Sequence, residues 1–125
     1  MSKQKITQPW DYFPIIPIYA FTSLKKARKF IKKKTGCEYT FLGKDGQCTM
    51  YKHVSGANFC LILLNCKDKS TKDKYSVLAH ECVHYAQNHA EYTGAPLDDE
   101  TEAYIVEAAM LACIDQIGAK YFKGK

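Results

Sequence analysis

The sequence predicts an α+β domain in which a strand and a helix are followed by three strands and then two helices. Three observations predict it. Apolar residues recur at helical spacing around 24–31, 77–86 and 105–113. β-Branched and aromatic residues concentrate in 15–21, 37–42, 47–54 and 59–65. Clusters of Gly, Pro, Asn, Asp and Ser separate these stretches. The whole chain, residues 1–125, reads as one domain.

Residues 1–14 read as an irregular arm in which Pro9 and Pro14 bracket Trp10, Tyr12 and Phe13. Residues 15–21 form the first strand. Pro17 has no N–H for a ladder, so the strand lies at an edge or begins after the proline. Thr22 or Ser23 caps a helix that runs to about Lys34, where Gly36 suits its end. Gly43-Lys44-Asp45-Gly46 reads as a hairpin turn between strands 37–42 and 47–54. Ser55-Gly56-Ala57-Asn58 makes the next turn, and 59–65, the most apolar strand, belongs in the centre of the sheet. Lys67 to Lys74 reads as an exposed loop. A helix follows from Asp73 or Ser76 to Tyr92, closed by Gly94 and Pro96. Asp98 caps the last helix, about 99–117, which ends at Gly118.

Composition narrows the functional classes. The hydrophobic fraction of 46% suits a globular fold. The longest apolar run, Phe59 to Leu64, falls far short of the ~20 residues that span a bilayer. The patch 15–21 contains a proline and runs into a basic helix, unlike a secretion signal, so a cytoplasmic location is expected. The 6 cysteines form no CxxC pair and, without an export signal, are expected as reduced thiols; Cys60 and Cys82 sit inside apolar patterns as small hydrophobes.

The net charge of +5 is unevenly spread. Lys25, Lys26, Arg28, Lys29, Lys32, Lys33 and Lys34 crowd the segment 24–34, whereas Asp98, Asp99, Glu100 and Glu102 cluster late. The basic segment reads first as the solvated face of an amphipathic helix that turns Leu24, Ala27, Phe30 and Ile31 inward. The alternative is a phosphate-contacting patch for nucleic acid, against which stands the lack of aromatic residues interleaved among the lysines.

The most informative pattern is His80-Glu81-Cys82-Val83-His84, an HExxH sequence inside a helix. Four residues turn an α-helix by about 400°, so His80 and His84 project from nearly one face, a turn apart. Two imidazoles so placed can take adjacent corners of a zinc tetrahedron. Glu81 lies about 60° around from His84, too displaced to complete the tetrahedron but placed to accept a proton from an activated water. The alternative is a pair of surface histidines at helical spacing.

A catalytic zinc needs a third protein ligand and an open position. Gln87 and Ala90 stand where the metzincin continuation has glycine and a third histidine. His89 points about 140° away from His84, and His53 lies in a strand without a partner pattern. Of the glutamates on the last helix, Glu102 shares the inward face of Ile105, Val106, Ala109 and Cys113, whereas Glu100 and Glu107 fall to other sides. A glutamate on an apolar face is costly to bury unless something positive pairs with it, and a metal would serve. An extended return over 94–98 would set Glu102 level with the histidines. Its other explanation is a first-turn acid favoured by the helix dipole.

Leu78-Ala79-His80-Glu81-Cys82-Val83-His84, Gln87 and the later Glu102-Ala103-Tyr104 resemble the small gluzincin-type metallopeptidases encoded by phages and prophages. The resemblance covers residues 77–110. It implies a minimal zincin-like domain: an N-terminal strand and helix, a small three- to four-stranded, mostly antiparallel sheet, and two packed C-terminal helices carrying the metal site. It implies one Zn2+ held by His80, His84 and Glu102, with Glu81 as catalytic base. Repressor-cleaving metallopeptidases of mobile elements share HExxH and a Glu-Ala segment, although the gap from His84 to Glu102 is short for them.

The expected activity is therefore zinc-dependent hydrolysis of a protein or peptide, with no membrane partner and an oligomeric state left open. Substrate is expected to add as a strand along 59–65 or 47–54. For transition-state stabilisation Tyr75, Tyr85, Tyr92 and Tyr104 lie near the motif; Tyr104 and Gln87 are the family-pattern candidates, each with a packing or surface role as the alternative. The competing classes are a non-catalytic module braced by zinc and a nucleic-acid-associated protein using the basic helix 24–34.

Overall fold

In a computed structural model the described residues are 16–94 and 98–123. They form β1 (Ile18–Phe21), α1 (Leu24–Thr35), β2 (Gly46–Lys52), β3 (Asn58–Leu64), α2 (Thr71–Thr93), α3 (Asp99–Ile117) and a short α4 (Ala119–Phe122). The class is α+β, as expected. The arm 1–14, Ile15 and Pro96 lie outside the described residues.

The sheet order is β1-β3-β2, with β3 in the centre. β2 pairs antiparallel with β3 over seven residue pairs, Gly46↔Leu64 to Lys52↔Asn58, whereas the parallel β1–β3 pairing covers four. β3 is buried on both faces, which explains its unbroken apolar run. Its side chains alternate between two cores. Cys60, Ile62 and Leu64 face Leu78, Cys82 and Ala86 of α2 and Ile105, Ala109 and Cys113 of α3. Phe59, Leu61 and Leu63 face Ala27 and Ile31 of α1. The sheet is thus covered by α1 on one side and by the α2–α3 pair on the other, α2 lying over β2 and α3 over β1.

The caps fall where the side chains require them. Ser23 accepts from the Lys26 N–H, and Gly36 ends α1 at φ 77°, a conformation that a Cβ would strain. Asp98 accepts from the Thr101 N–H at the start of α3. β1 begins after Pro17, whose carbonyl accepts from the Cys60 N–H at 2.8 Å, and it occupies an edge.

Three elements differ from expectation. Residues 37–42 form no strand, although their composition favours one. The Gln47 side chain instead accepts from the Leu42 and Gly43 N–H groups at 2.6 and 2.9 Å and donates to the Thr40 carbonyl, replacing a ladder with side-chain bonds. The segment 67–74 is not all loop. Ser70 accepts from the Asp73 N–H and starts α2 early, so that Lys74 is buried and donates to the Tyr121 carbonyl at 2.7 Å. α4, which supplies that carbonyl, has no counterpart in the sequence reading.

Candidate metal centre

α2 carries the HExxH residues across the β2 end of the sheet. His80 and His84 are exposed, and their Nε2 atoms approach to 3.2 Å, with ring centroids 4.8 Å apart. An edge of a zinc tetrahedron with Zn–N of about 2.0–2.1 Å is about 3.3–3.4 Å long. The two nitrogens therefore stand at the separation that one ion would impose on them.

Glu81 is only 6% exposed, and it lines the cleft beside the 43–46 turn. Among the described residues no hydrogen-bond donor or ion-pair partner engages its carboxylate. Burial pushes the carboxyl above its ordinary range, and His80 and His84 pull it back. With no donor among the described residues, the carboxylate oxygens are satisfied from the cleft rather than sealed away from it.

Gly46 explains how β2 comes so close. A Cβ on Gly46 would lie 2.8 Å from Val77 Cγ1 and 3.2 Å from Glu81 Oε2. Only glycine lets the strand start against the carboxylate. The turn 43–46 and the α2 residues Ser76, Val77, His80 and Glu81 then enclose a cleft of about 420 Å³. Gly43 is equally constrained, because a Cβ there would collide with the Gly46 carbonyl. Gln47 holds this wall in place through its bonds to residues 40–43.

Of the two sheet edges, one is closed. The Gln116 amide of α3 donates to the Ile18 carbonyl and accepts from the Ala20 N–H, both at 2.8 Å, so it occupies the outer edge of β1. Among the described residues no backbone partner lies along the outer edge of β2. Of the two expected substrate strands, the central β3 has no free edge, which leaves β2.

The structure brings His80, Glu81 and His84 together but does not bring Glu102 to them. Among the described residues no group of three or more His, Cys, Asp or Glu side chains is placed to hold a metal ion. Register supplies the reason. The free thiols of Cys82 and Cys113 lie within hydrogen-bond reach, and His89 shares a cavity wall with Ile105, so α2 and α3 run antiparallel with Glu102 level with the end of α2. Glu102 is half-buried in a groove along α3 with Val106, Met110 and Ile114. The donor pair fits zinc; the third protein donor is not in place.

The expected helper residues take other positions. Tyr85 is buried and donates to the Ile16 carbonyl at 2.6 Å. Tyr75 stacks on Phe122 with centroids 4.6 Å apart, and Tyr92 is exposed. Tyr104 hydrogen-bonds Glu100, one turn before it on α3. Gln87 is exposed and makes no hydrogen bond among the described residues. The tyrosine that senses Glu81 is Tyr39: burial chiefly, then Tyr51, Glu81 and Cys48, pushes its phenol up, so the hydroxyl stays protonated. Its signal in the sequence was only a β-prone aromatic before a turn.

No protein-family model matches the chain, nor does any curated protein or solved structure. No described helix is long and apolar enough to cross a membrane.

Proposed function

We propose that the protein is a zinc-dependent peptidase whose centre is the His80–Glu81–His84 cluster. The observation that supports this reading most is the pairing of two exposed imidazole nitrogens 3.2 Å apart with a mostly buried glutamate that opens onto the cleft shared with His80. His80 and His84 would hold the ion. Bound zinc would acidify water toward a pKa of ~7 and polarise a carbonyl.

Glu81 removes the proton from the attacking water and delivers it to the departing amine nitrogen, so that it ends the cycle as the carboxylate that began it. Its burial raises its proton affinity toward that task. The substrate backbone adds to the outer edge of β2, and its side chains meet the wall of Lys44 and Asp45. Glu102 remains the proposed third ligand on the strength of the resemblance. It can reach the imidazoles only if the first turn of α3 moves toward His84.

The test is zinc content by mass spectrometry together with hydrolysis of a quenched peptide library. Wild-type protein should bind one equivalent of zinc, and His80→Ala or His84→Ala should lose it. Glu81→Gln should keep the zinc while hydrolysis falls by about 10²–10⁴-fold, the span of general-base catalysis. A wild-type chain that takes up no zinc from an equimolar solution sinks the proposal. A Glu102→Ala variant with undiminished zinc affinity removes Glu102 alone from the ligand set.

A further inference from the structure

The opposite face of the sheet carries a second cleft, and its chemistry differs from the first. α1 holds seven basic side chains and no acid. Six of these are exposed, and Lys32 pairs at 3.1 Å with Glu38. α3, behind the sheet, carries Asp99, Glu100, Glu102, Glu107 and Asp115 and no base. The molecule is therefore electrically polarised across its sheet, with α1 as the positive side.

Beside the last turn of α1 a cavity of about 250 Å³ is lined by Tyr19, Phe30, Lys34, His53, Ser55 and Asn58. The sequence suggested lysines without aromatics; folding brings aromatics to them from β1 and β3. Tyr19 is 39% exposed, and its ring rests on Phe30 and Phe59 at centroid distances of 4.8 and 5.6 Å. The Lys34 ammonium lies 5.8 Å from the centre of the Phe30 ring. The polar wall is fixed as well. The Lys34 carbonyl accepts from the Val54 N–H, pinning α1 to the 53–57 turn. The Ser55 N–H donates to His53 Nδ1 at 3.0 Å, which leaves His53 Nε2 as the proton-bearing nitrogen of the neutral ring.

We propose that this face binds single-stranded nucleic acid, one base stacking on Tyr19 in the cleft and the neighbouring phosphates lying on the lysines of α1. A cationic track beside a supported, partly exposed aromatic ring is the arrangement by which proteins hold single strands. Bases in a duplex are already stacked on one another and cannot enter such a cleft. An anionic membrane would use the lysines but leave the ring and the polar wall without a role.

The test is fluorescence anisotropy of labelled oligothymidylate and oligouridylate with the full chain. Binding should weaken roughly twentyfold as salt rises from about 50 to about 200 mM, the drop expected for counterion release at about three phosphates. Tyr19→Leu, which keeps apolar packing against Phe30, should weaken binding about tenfold without changing the salt slope, and Tyr19→Phe should bind as wild type does. Lys29→Glu with Lys33→Glu, both exposed, should weaken binding and flatten the slope. His80→Ala should bind normally, which separates this site from the metal centre. The proposal is overturned by an absence of binding at low salt, by a duplex that competes as well as the single strand, by a Tyr19→Leu variant of wild-type affinity, or by binding confined to phosphatidylserine vesicles.

Discussion

The two faces of the sheet solve different problems with the same strand. On the α1 side β3 presents Phe59, Leu61 and Leu63 to a core of aliphatic and aromatic residues, with Phe21, Phe30 and Tyr51 packed at its margin. On the α2–α3 side the alternate residues Cys60, Ile62 and Leu64 meet Leu78 and Ile105 together with the smaller Cys82, Ala86, Ala109 and Cys113. The buried charged or polar side chains of the described residues, Lys74, Glu81 and His89, all belong to α2. Lys74 is satisfied by the end of the chain and has a structural explanation. Glu81 has none of that kind. The difference teaches that one face is optimised for cohesion, whereas the other carries a local cost at the place where the imidazoles meet.

One leucine from each face makes that contrast measurable. Leu61→Ala and Leu64→Ala each remove a fully buried side chain, and each should lower unfolding free energy by about 3 kcal/mol in urea titrations. Their effects on the proposed centre should diverge. Leu64 pairs with Gly46, which touches Glu81, so Leu64→Ala should also weaken zinc uptake, whereas Leu61→Ala should not. Equal losses of zinc affinity would mean that the two cores are not separable.

A smaller effect of opposite sign is expected at Glu81. Replacing a mostly buried carboxylate, whose acidity burial lowers, by an apolar side chain of similar reach removes part of a desolvation cost. Glu81→Leu should therefore stabilise the metal-free protein by about 1 kcal/mol while hydrolysis is lost, the trade expected where stability is sacrificed to chemistry. Thermal unfolding in the presence of chelator decides it. A destabilised Glu81→Leu would show that the carboxylate is there for packing after all.

Much of this arrangement is legible in the residues, and the failures share a cause. Ser23, Gly36, Asp98 and Gly94 act through their own neighbours, so the ends of α1, the start of α3 and the end of α2 could be read locally. The central place of β3 follows from its unbroken apolar run. The facing of His80 and His84 follows from helical period alone. What escaped depends on distant partners. The lost strand at 37–42 turns on the Gln47 side chain, and the early start of α2 is supported by Lys74 meeting α4. The level of Glu102 along α2 is set by interhelical register at Cys82 and Cys113, which the face of a helix cannot reveal. Gly46 looked like a turn residue, although its lack of a Cβ serves an approach to Glu81 as well.

The thiols give the gentlest probe of the same contrast. Cys37 follows the end of α1 and is exposed, with only a weak 3.8 Å contact from its Sγ to the Thr35 carbonyl. Cys60, Cys82 and Cys113 are fully buried beneath the candidate centre, and half-buried Cys48 lies 3.4 Å from Cys60. Cys66 is also buried, against the Tyr121 hydroxyl. Buried thiols are inert because the thiolate is the reactive form and burial disfavours it. A thiol-specific reagent under native conditions should therefore find one fast site, which Cys37→Ser removes while leaving the melting temperature within about 2 °C, as expected for a surface change. The buried Cys60, Cys66, Cys82 and Cys113 should react only as fast as the whole domain unfolds. A fast thiol mapped by mass spectrometry to Cys60, which is fully buried against Cys48, would mean that the sheet opens beneath Glu81, and the rigid wall assigned to the cleft would have to be given up.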